Sequence, residues 1–94
     1  MVESRRVILI GGEVNQDLVS RAVSGNLTLV RHEALLPRGG YVSALNGGSR
    51  VKAILVKEGT YGTGVWCSIA KARNIPVYFF NNERDIVYRG DLER

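Results

Sequence analysis

Four short apolar runs recur along the chain, separated by polar and glycine-containing segments. Each run is nearly continuous and rich in β-branched or aromatic residues, which is typical of a strand that is buried on both faces. Such strands favour parallel over antiparallel pairing. The predicted strands are RVILI (6–10), LTLVRH (27–32), VKAILV (51–56) and PVYFF (76–80).

The segments between these runs have helical features. In the first segment Asn15 is a candidate N-cap, Asp17 lies in the first turn near the positive end of the helix dipole, and Gly25 is placed to end the helix. In the middle segment only residues 41–46 are long enough for a short helix, which the glycine pair 47–48 would end.

The last of these segments predicts a helix that begins near Thr63. Val65, Ile69 and Ala72 share one face of that helix, and basic residues occupy its last turn. We expect the helix to end at Asn74, shortly before a proline.

Strands and helices thus alternate, and this order predicts a single α/β domain over residues 1–94. We expect a three-layer α/β/α sandwich around a four-stranded parallel sheet of order 2-1-3-4, in a Rossmann-like or flavodoxin-like arrangement. In the tail, the Asn81-Asn82 pair is a turn signal, and Ile86 and Tyr88 alternate with polar neighbours. The tail therefore allows a short extra strand after the fourth.

Ligands of such sheets bind at the carboxyl ends of the strands, where the chain leaves strands 1 and 3 in opposite directions. The loops at this point are GGEVN (11–15) and KEGTYGTG (57–64), and each leads into a predicted helix N-terminus, which favours anions. An equally weighted alternative is that the glycines only permit tight strand-to-helix turns. The predicted ligand-binding residues are Gly11, Gly12, Glu13, Asn15, His32, Lys57, Glu58, Gly59, Thr60, Tyr61, Gly62, Thr63 and Gly64, with Arg38 and Arg84 as charge partners of an anion.

Standard cofactor motifs do not occur in these loops. The glycine spacing 59-62-64 differs from the dinucleotide pattern and lacks the Gly-Lys-Ser/Thr ending of a P-loop, so we predict neither NAD nor ATP binding and no other cofactor. One cysteine and one histidine cannot form a disulfide or a Cys/His zinc site, and we predict no bound metal. We interpret Cys67 as a small apolar residue and Trp66 as a packing or dimer residue, whereas Tyr61 is the better candidate for stacking on a base.

Charge and length add a second set of expectations. Thirteen Lys and Arg against nine Asp and Glu give a net charge of +4, which favours anionic partners, but the basic residues are scattered and most simply indicate a solvated surface. The chain has no apolar run long enough to span a bilayer or to act as a signal peptide, so we predict a cytoplasmic protein without a membrane partner. A four-stranded sheet leaves two edges, and VYFF (77–80) followed by DIVYRG (85–90) would be a long apolar edge unless it is paired, for which a homodimer is the common remedy.

The same pattern resembles a bacterial family, the domain of unknown function family numbered 2325. The matching stretches are VILIGG (7–12), RHE (31–33), AILV (53–56) and AKARNIPVYF (70–79). The resemblance implies a small Rossmann-like fold and a site at the strand ends, and it implies no particular reaction. Where that family carries Asp-x-(Ile/Val)-Ser-His after strand 3, this chain has KEGTYGTG.

Three functional hypotheses follow. The first is a non-catalytic, regulatory domain that binds a small anionic ligand, such as a nucleotide or a phosphate-bearing fragment, between the two glycine-rich loops. The second is an enzyme acting on a nucleotide or phosphate ester, with His32 or Glu58 as base and Arg38 or Lys57 as charge stabiliser. The third is a nucleic-acid-binding accessory module that uses the basic excess.

Overall fold

A computed structural model of the chain describes residues 5–46 and 50–90. Within these ranges the strands and helices alternate as the sequence pattern predicts, and a short fifth strand follows the fourth. The elements are β1 (Arg5–Ile10), α1 (Gln16–Ala22), β2 (Leu27–His32), α2 (Gly40–Asn46), β3 (Val51–Lys57), α3 (Gly64–Ala72), β4 (Val77–Asn81) and β5 (Ile86–Arg89).

The strands form one mixed sheet in the order β2-β1-β3-β4-β5. The first four strands are parallel, with Ile8 of β1 opposite Val30 on one side and Ile54 on the other, which confirms the predicted order 2-1-3-4. β5 pairs antiparallel with β4, so the sheet has five strands and not four. The extra strand that the tail allows is thus part of the sheet.

The alternation of side chains along the central strands divides the core into two clusters, because successive residues of a strand point to opposite faces of the sheet. Ile8 and Ile54 pack with Trp66 and Ala70 of α3 and with Leu45 of α2. The second cluster joins the neighbouring strand residues to α1, and its buried members are Val7, Leu9, Val19, Val23, Ala53, Leu55 and Phe80.

Helix α1 begins as predicted. The Asn15 side chain accepts a hydrogen bond of 2.8 Å from the Asp17 N–H, which satisfies one of the backbone donors left free at a helix start. The helix ends at Ala22, earlier than the glycine at position 25 suggests, with Val23 as its C-cap. Val23 is buried, so its apolar side chain belongs to the core and not to a loop.

Helix α3 buries a different face from the one the spacing predicts. The fully buried residues are Trp66 and Ala70, whereas Val65 is exposed and Ile69 only half-buried. The large Trp66 ring fills the space against the sheet and rotates the buried stripe by about one residue. The predicted short helix is confirmed in α2, while its expected glycine end at 47–48 lies outside the described residues.

β5 also changes the argument about the sheet edge. The apolar strand β4 lies inside the sheet, because β5 forms backbone hydrogen bonds along its outer side. The homodimer argument from an open β4 edge is therefore wrong, and the two edges of the sheet are β2 and β5. Over the described ranges no helix has the length and apolar character needed to cross a membrane.

Candidate functional site

A cavity of about 570 Å³ opens at the carboxyl ends of β1 and β2. Four of the residues predicted from the sequence line it, together with wall residues of the segment that follows β2. The lining residues are Gly11, Gly12, Arg31, His32, Glu33, Ala34, Leu36 and Thr60.

The loops after β1 and β3 meet at Gly11. Its φ of +98° is a left-handed conformation, and a Cβ at this position would overlap the Thr60 hydroxyl and lie 3.0 Å from Lys57 Cβ. At Gly12 a Cβ would lie 3.3 Å from Lys57 Cδ and 3.8 Å from its Nζ. Glycine therefore lets the β3 loop pack directly on the backbone of the β1 loop and brings the Lys57 ammonium beside Gly12.

Two aromatic side chains hold the wall of the cavity after β2. Trp66 Nε1 donates a hydrogen bond of 3.0 Å to the carbonyl of Glu33. The Tyr41 hydroxyl accepts a hydrogen bond of 2.9 Å from the Leu36 N–H and donates one of 3.4 Å to the Ala34 carbonyl. The two rings themselves pack edge to face, with centroids 5.1 Å apart. Trp66 is thus a packing residue, as its favoured interpretation predicted, and it also positions the wall.

His32 is half-buried at the end of β2, with its ring centroid 5.7 Å from that of Trp66. Burial lowers the pKa of His32 below its ordinary value, and the positive charge of Arg6 lowers this pKa further. The imidazole is therefore mainly neutral at pH 7. It offers one N–H donor and one acceptor nitrogen to the cavity rather than a positive charge.

The cation nearest the end of β2 is Arg31, which is not among the residues predicted for the site. Its guanidinium donates to a Glu13 carboxylate oxygen at 2.7 Å, and both side chains are largely exposed, by 64% and 78% respectively. The Asn82 side chain donates to the Glu13 carbonyl at 2.8 Å, which ties the β1 loop to the β4–β5 turn. A guanidinium has five N–H donors, so one ion pair leaves it able to bind a further anion.

Two residues predicted for the site are engaged elsewhere. The Glu58 carboxylate accepts hydrogen bonds from Asn81 Nδ2, at 2.7 Å, and from the Arg84 guanidinium. The bonds from Asn81 and Tyr88 lower the pKa of Glu58, and the charge of Arg84 acts in the same direction. Glu58 and Arg84 thus link β3 to the β4–β5 turn, and neither lines the cavity.

The remaining predicted residues lie around the cavity or away from it. Asn15 caps α1, and Thr63 precedes α3 without a capping hydrogen bond from its side chain. Tyr61 is 94% exposed, and Gly62 lies beneath the Leu35 side chain. Glu13, Lys57, Gly59, Gly64 and Arg38 are also absent from the lining, although Glu13 and Lys57 contact residues that belong to it.

The apolar wall residues Ala34 and Leu36 were missed by sequence reasoning. Their only signal in the sequence is an apolar stretch between β2 and Pro37, which has no feature that distinguishes it from connecting chain. Within the described part of the chain, no three His, Cys, Asp or Glu side chains are grouped so as to hold a metal ion.

Comparison with protein-family models, with curated proteins and with solved structures gives no significant match. The resemblance to the domain of unknown function family therefore stays a prediction from the sequence.

Proposed function

We propose that this chain is a cytoplasmic, non-catalytic regulatory domain that binds a small anionic ligand, a nucleotide or another phosphate-bearing molecule, in the cavity at the ends of β1 and β2. One observation carries the proposal: two glycines, a threonine, a histidine and an arginine line one space of about 570 Å³. That volume lies within the range of about 300–1,000 Å³ found for small-molecule sites. The architecture we propose is the three-layer α/β/α sandwich, with α1 on one face of the sheet and α2 and α3 on the other.

The chemistry of the lining suits an anion. Gly12 carries no side chain between its backbone and the cavity, and the Lys57 ammonium lies beside it. The Thr60 hydroxyl and the neutral His32 imidazole supply hydrogen-bond donors, and Arg31 supplies a charge-assisted one. Neutral and cationic donors around a phosphate or carboxylate satisfy several of its oxygens at once.

Glu13 competes with such a ligand for Arg31. Its carboxylate already pairs with the guanidinium, and Glu33 adds a second negative charge to the lining. An incoming anion therefore shares Arg31 with Glu13 or displaces it. Replacing Glu13 by Gln removes this competition, and we expect Glu13→Gln to raise the affinity for inorganic phosphate.

Calorimetric titration with inorganic phosphate and with adenosine 5′-monophosphate tests the proposal. Arg31→Gln is expected to weaken both affinities about tenfold or more, since charge-assisted hydrogen bonds contribute about 1.5–3 kcal/mol each. The matched control is Arg38→Gln, which removes an exposed cation outside the lining and should leave both affinities unchanged. Equal losses in the two variants, or no binding of either probe to the wild type, would contradict the proposal.

One observation favours the enzymatic alternative as a second candidate. His32 lies in the cavity and its pKa is lowered, so the form able to accept a proton predominates at pH 7. Glu58, the other base of that hypothesis, is bound by Asn81 and Arg84 outside the lining. Turnover of a nucleotide or phosphate ester that His32→Gln abolishes while phosphate still binds would replace the binding role by an enzymatic one.

The nucleic-acid hypothesis rests on net charge alone, and a gel-shift titration at two salt concentrations tests it. For assembly, we propose a homodimer through β2 or β5, the outermost strands of the sheet in the described part of the chain, because edge strands can pair with a strand of a second chain. Light scattering after size exclusion measures the mass, and a monomer at micromolar concentration would contradict the homodimer.

A further inference from the structure

Four large apolar side chains are exposed among the described residues: Leu35, Val42, Tyr61 and Val65. Two of them stand on the loops that border the cavity. Leu35 is 69% exposed between the lining residues Ala34 and Leu36, and Tyr61 is 94% exposed directly after the lining residue Thr60. Two separate loops that line the polar cavity thus each carry an exposed apolar side chain next to a lining residue.

A close contact joins these two loops. A Cβ at Gly62 would lie 2.9 Å from both Cγ and Cδ2 of Leu35, so the Leu35 side chain rests on the backbone next to Tyr61. The φ of Gly62 is +80°, which few residues other than glycine adopt readily. Leu35 and Tyr61 therefore border the same stretch of the mouth, beside Thr60.

We infer that Leu35 and Tyr61 form a subsite for a nucleobase, and that the ligand is a nucleoside 5′-phosphate rather than a phosphate without a base. This inference rests on the proposed binding of an anion in the cavity at the ends of β1 and β2. The phosphate occupies the polar lining between Gly12 and Arg31, and the base covers the Tyr61 ring and the Leu35 methyl groups. Tyrosine is suited to this role because it has only two side-chain torsions to fix when a flat ring stacks on it.

The size of the effect follows from stacking. Removing one aromatic partner of a stacked base costs about 1–3 kcal/mol, which corresponds to roughly 5-fold to 150-fold in affinity. The affinity of a ligand that contacts only the polar lining should not depend on Tyr61. The ratio of affinities for a nucleotide and for its sugar phosphate therefore isolates the subsite from the cavity.

Calorimetric titrations with adenosine 5′-monophosphate, ribose 5-phosphate and inorganic phosphate test the inference on the wild type and on Tyr61→Ser. We expect the nucleotide to bind the wild type about tenfold or more tightly than ribose 5-phosphate, and Tyr61→Ser to remove that preference while leaving the affinity for inorganic phosphate unchanged. Leu35→Ser should reduce the preference in the same direction. Val42→Ser is the matched control, since Val42 is exposed on α2 and outside the lining.

Near-ultraviolet circular dichroism of Trp66 checks that each variant keeps the cavity wall. If ribose 5-phosphate binds the wild type as tightly as the nucleotide, or if Tyr61→Ser keeps the full preference, the nucleobase subsite is overturned while anion binding stands. If none of the three probes binds the wild type, the subsite and the proposed function both fail.

Discussion

The carboxyl edge of the sheet has two halves. Each half carries a Glu–Arg ion pair, but the two pairs differ in exposure and in the hydrogen bonds that the glutamate accepts. At the β1–β2 half, Glu13 and Arg31 form one ion pair, and both side chains stay largely exposed beside a cavity. At the β3–β4–β5 half, Glu58 pairs with Arg84 and also accepts a hydrogen bond from Asn81, and the Glu58 side chain is only 21% exposed. Charge type and strand-end position are therefore not enough to predict a binding site, because the groups there must also keep hydrogen-bonding capacity that the fold does not use.

The extra strand explains the difference. Between β4 and β5 the chain turns back, and the Asn81 side chain accepts hydrogen bonds from the Glu83 and Arg84 N–H groups. This turn carries the Arg84 guanidinium onto Glu58. β2, in contrast, is an edge of the sheet, and the chain after it forms an irregular wall that leaves the cavity open.

The largest expected effect concerns the junction of the two halves at Gly11. A left-handed backbone costs an L-residue roughly 1–2 kcal/mol, and we expect this loss for Gly59→Ala, whose φ is +85° in open space. Gly11→Ala adds an overlap with Thr60, so its loss in the free energy of unfolding should reach roughly 3 kcal/mol. Urea denaturation measures both. Equal losses would mean that the two loops do not pack on each other through Gly11.

A second prediction concerns the wall of the cavity at the β1–β2 half. Tyr41→Phe keeps the ring against Trp66 but removes the hydroxyl that bonds Leu36 and Ala34. We expect a loss of about 1 kcal/mol in the free energy of unfolding, typical of one net hydrogen bond, and faster amide hydrogen exchange at Leu36. Tyr61→Phe is the control, because its exposed hydroxyl should contribute nothing measurable. Unchanged exchange at Leu36 in Tyr41→Phe would contradict this role.

The stability contributed by the β3–β4–β5 half should depend on pH through Glu58. Its pKa is lowered in the folded state, so its contribution to stability is fully present above the ordinary value of 4.5 and is lost as the pH falls through the folded value. Glu58→Gln should therefore lower the urea midpoint at pH 7, and the difference from the wild type should shrink as the pH falls below 4.5. Glu13→Gln, in the exposed pair, should change the midpoint little at pH 7. Similar shifts for both variants would remove the distinction between the halves.

The smallest effect is the titration of His32, which is unambiguous because the chain has one histidine. NMR should give a pKa below the ordinary 6.5 in the free protein. Because the unfolded state then binds more protons, the free energy of unfolding rises with pH between the folded pKa and about 6.5. This contribution is lost as the pH falls through the folded pKa. Saturating inorganic phosphate should raise this pKa, since a nearby anion favours the imidazolium. A pKa at or above 6.5 without phosphate would be evidence against burial of the ring.

Local signals in the sequence predicted much of this fold. The four apolar runs mark the parallel strands, and the Asn15 cap and the position of Gly11-Gly12 follow from residue type and spacing. The partners of Glu58 do not, because they depend on where the β4–β5 turn places Arg84. The wall of the cavity was equally inaccessible, since it depends on hydrogen bonds from the Tyr41 hydroxyl and from Trp66, which lies 33 residues beyond Glu33 along the chain.

We propose that only the β1–β2 half of this edge receives an anion. An amide NMR titration with inorganic phosphate, matched in ionic strength with chloride, tests it most directly. We expect saturable shifts of the amide signals of Gly11, Gly12, His32 and Thr60, with those of Glu58 and Arg84 unchanged. Shifts centred on Glu58 and Arg84, or none that exceed the chloride control, would contradict it.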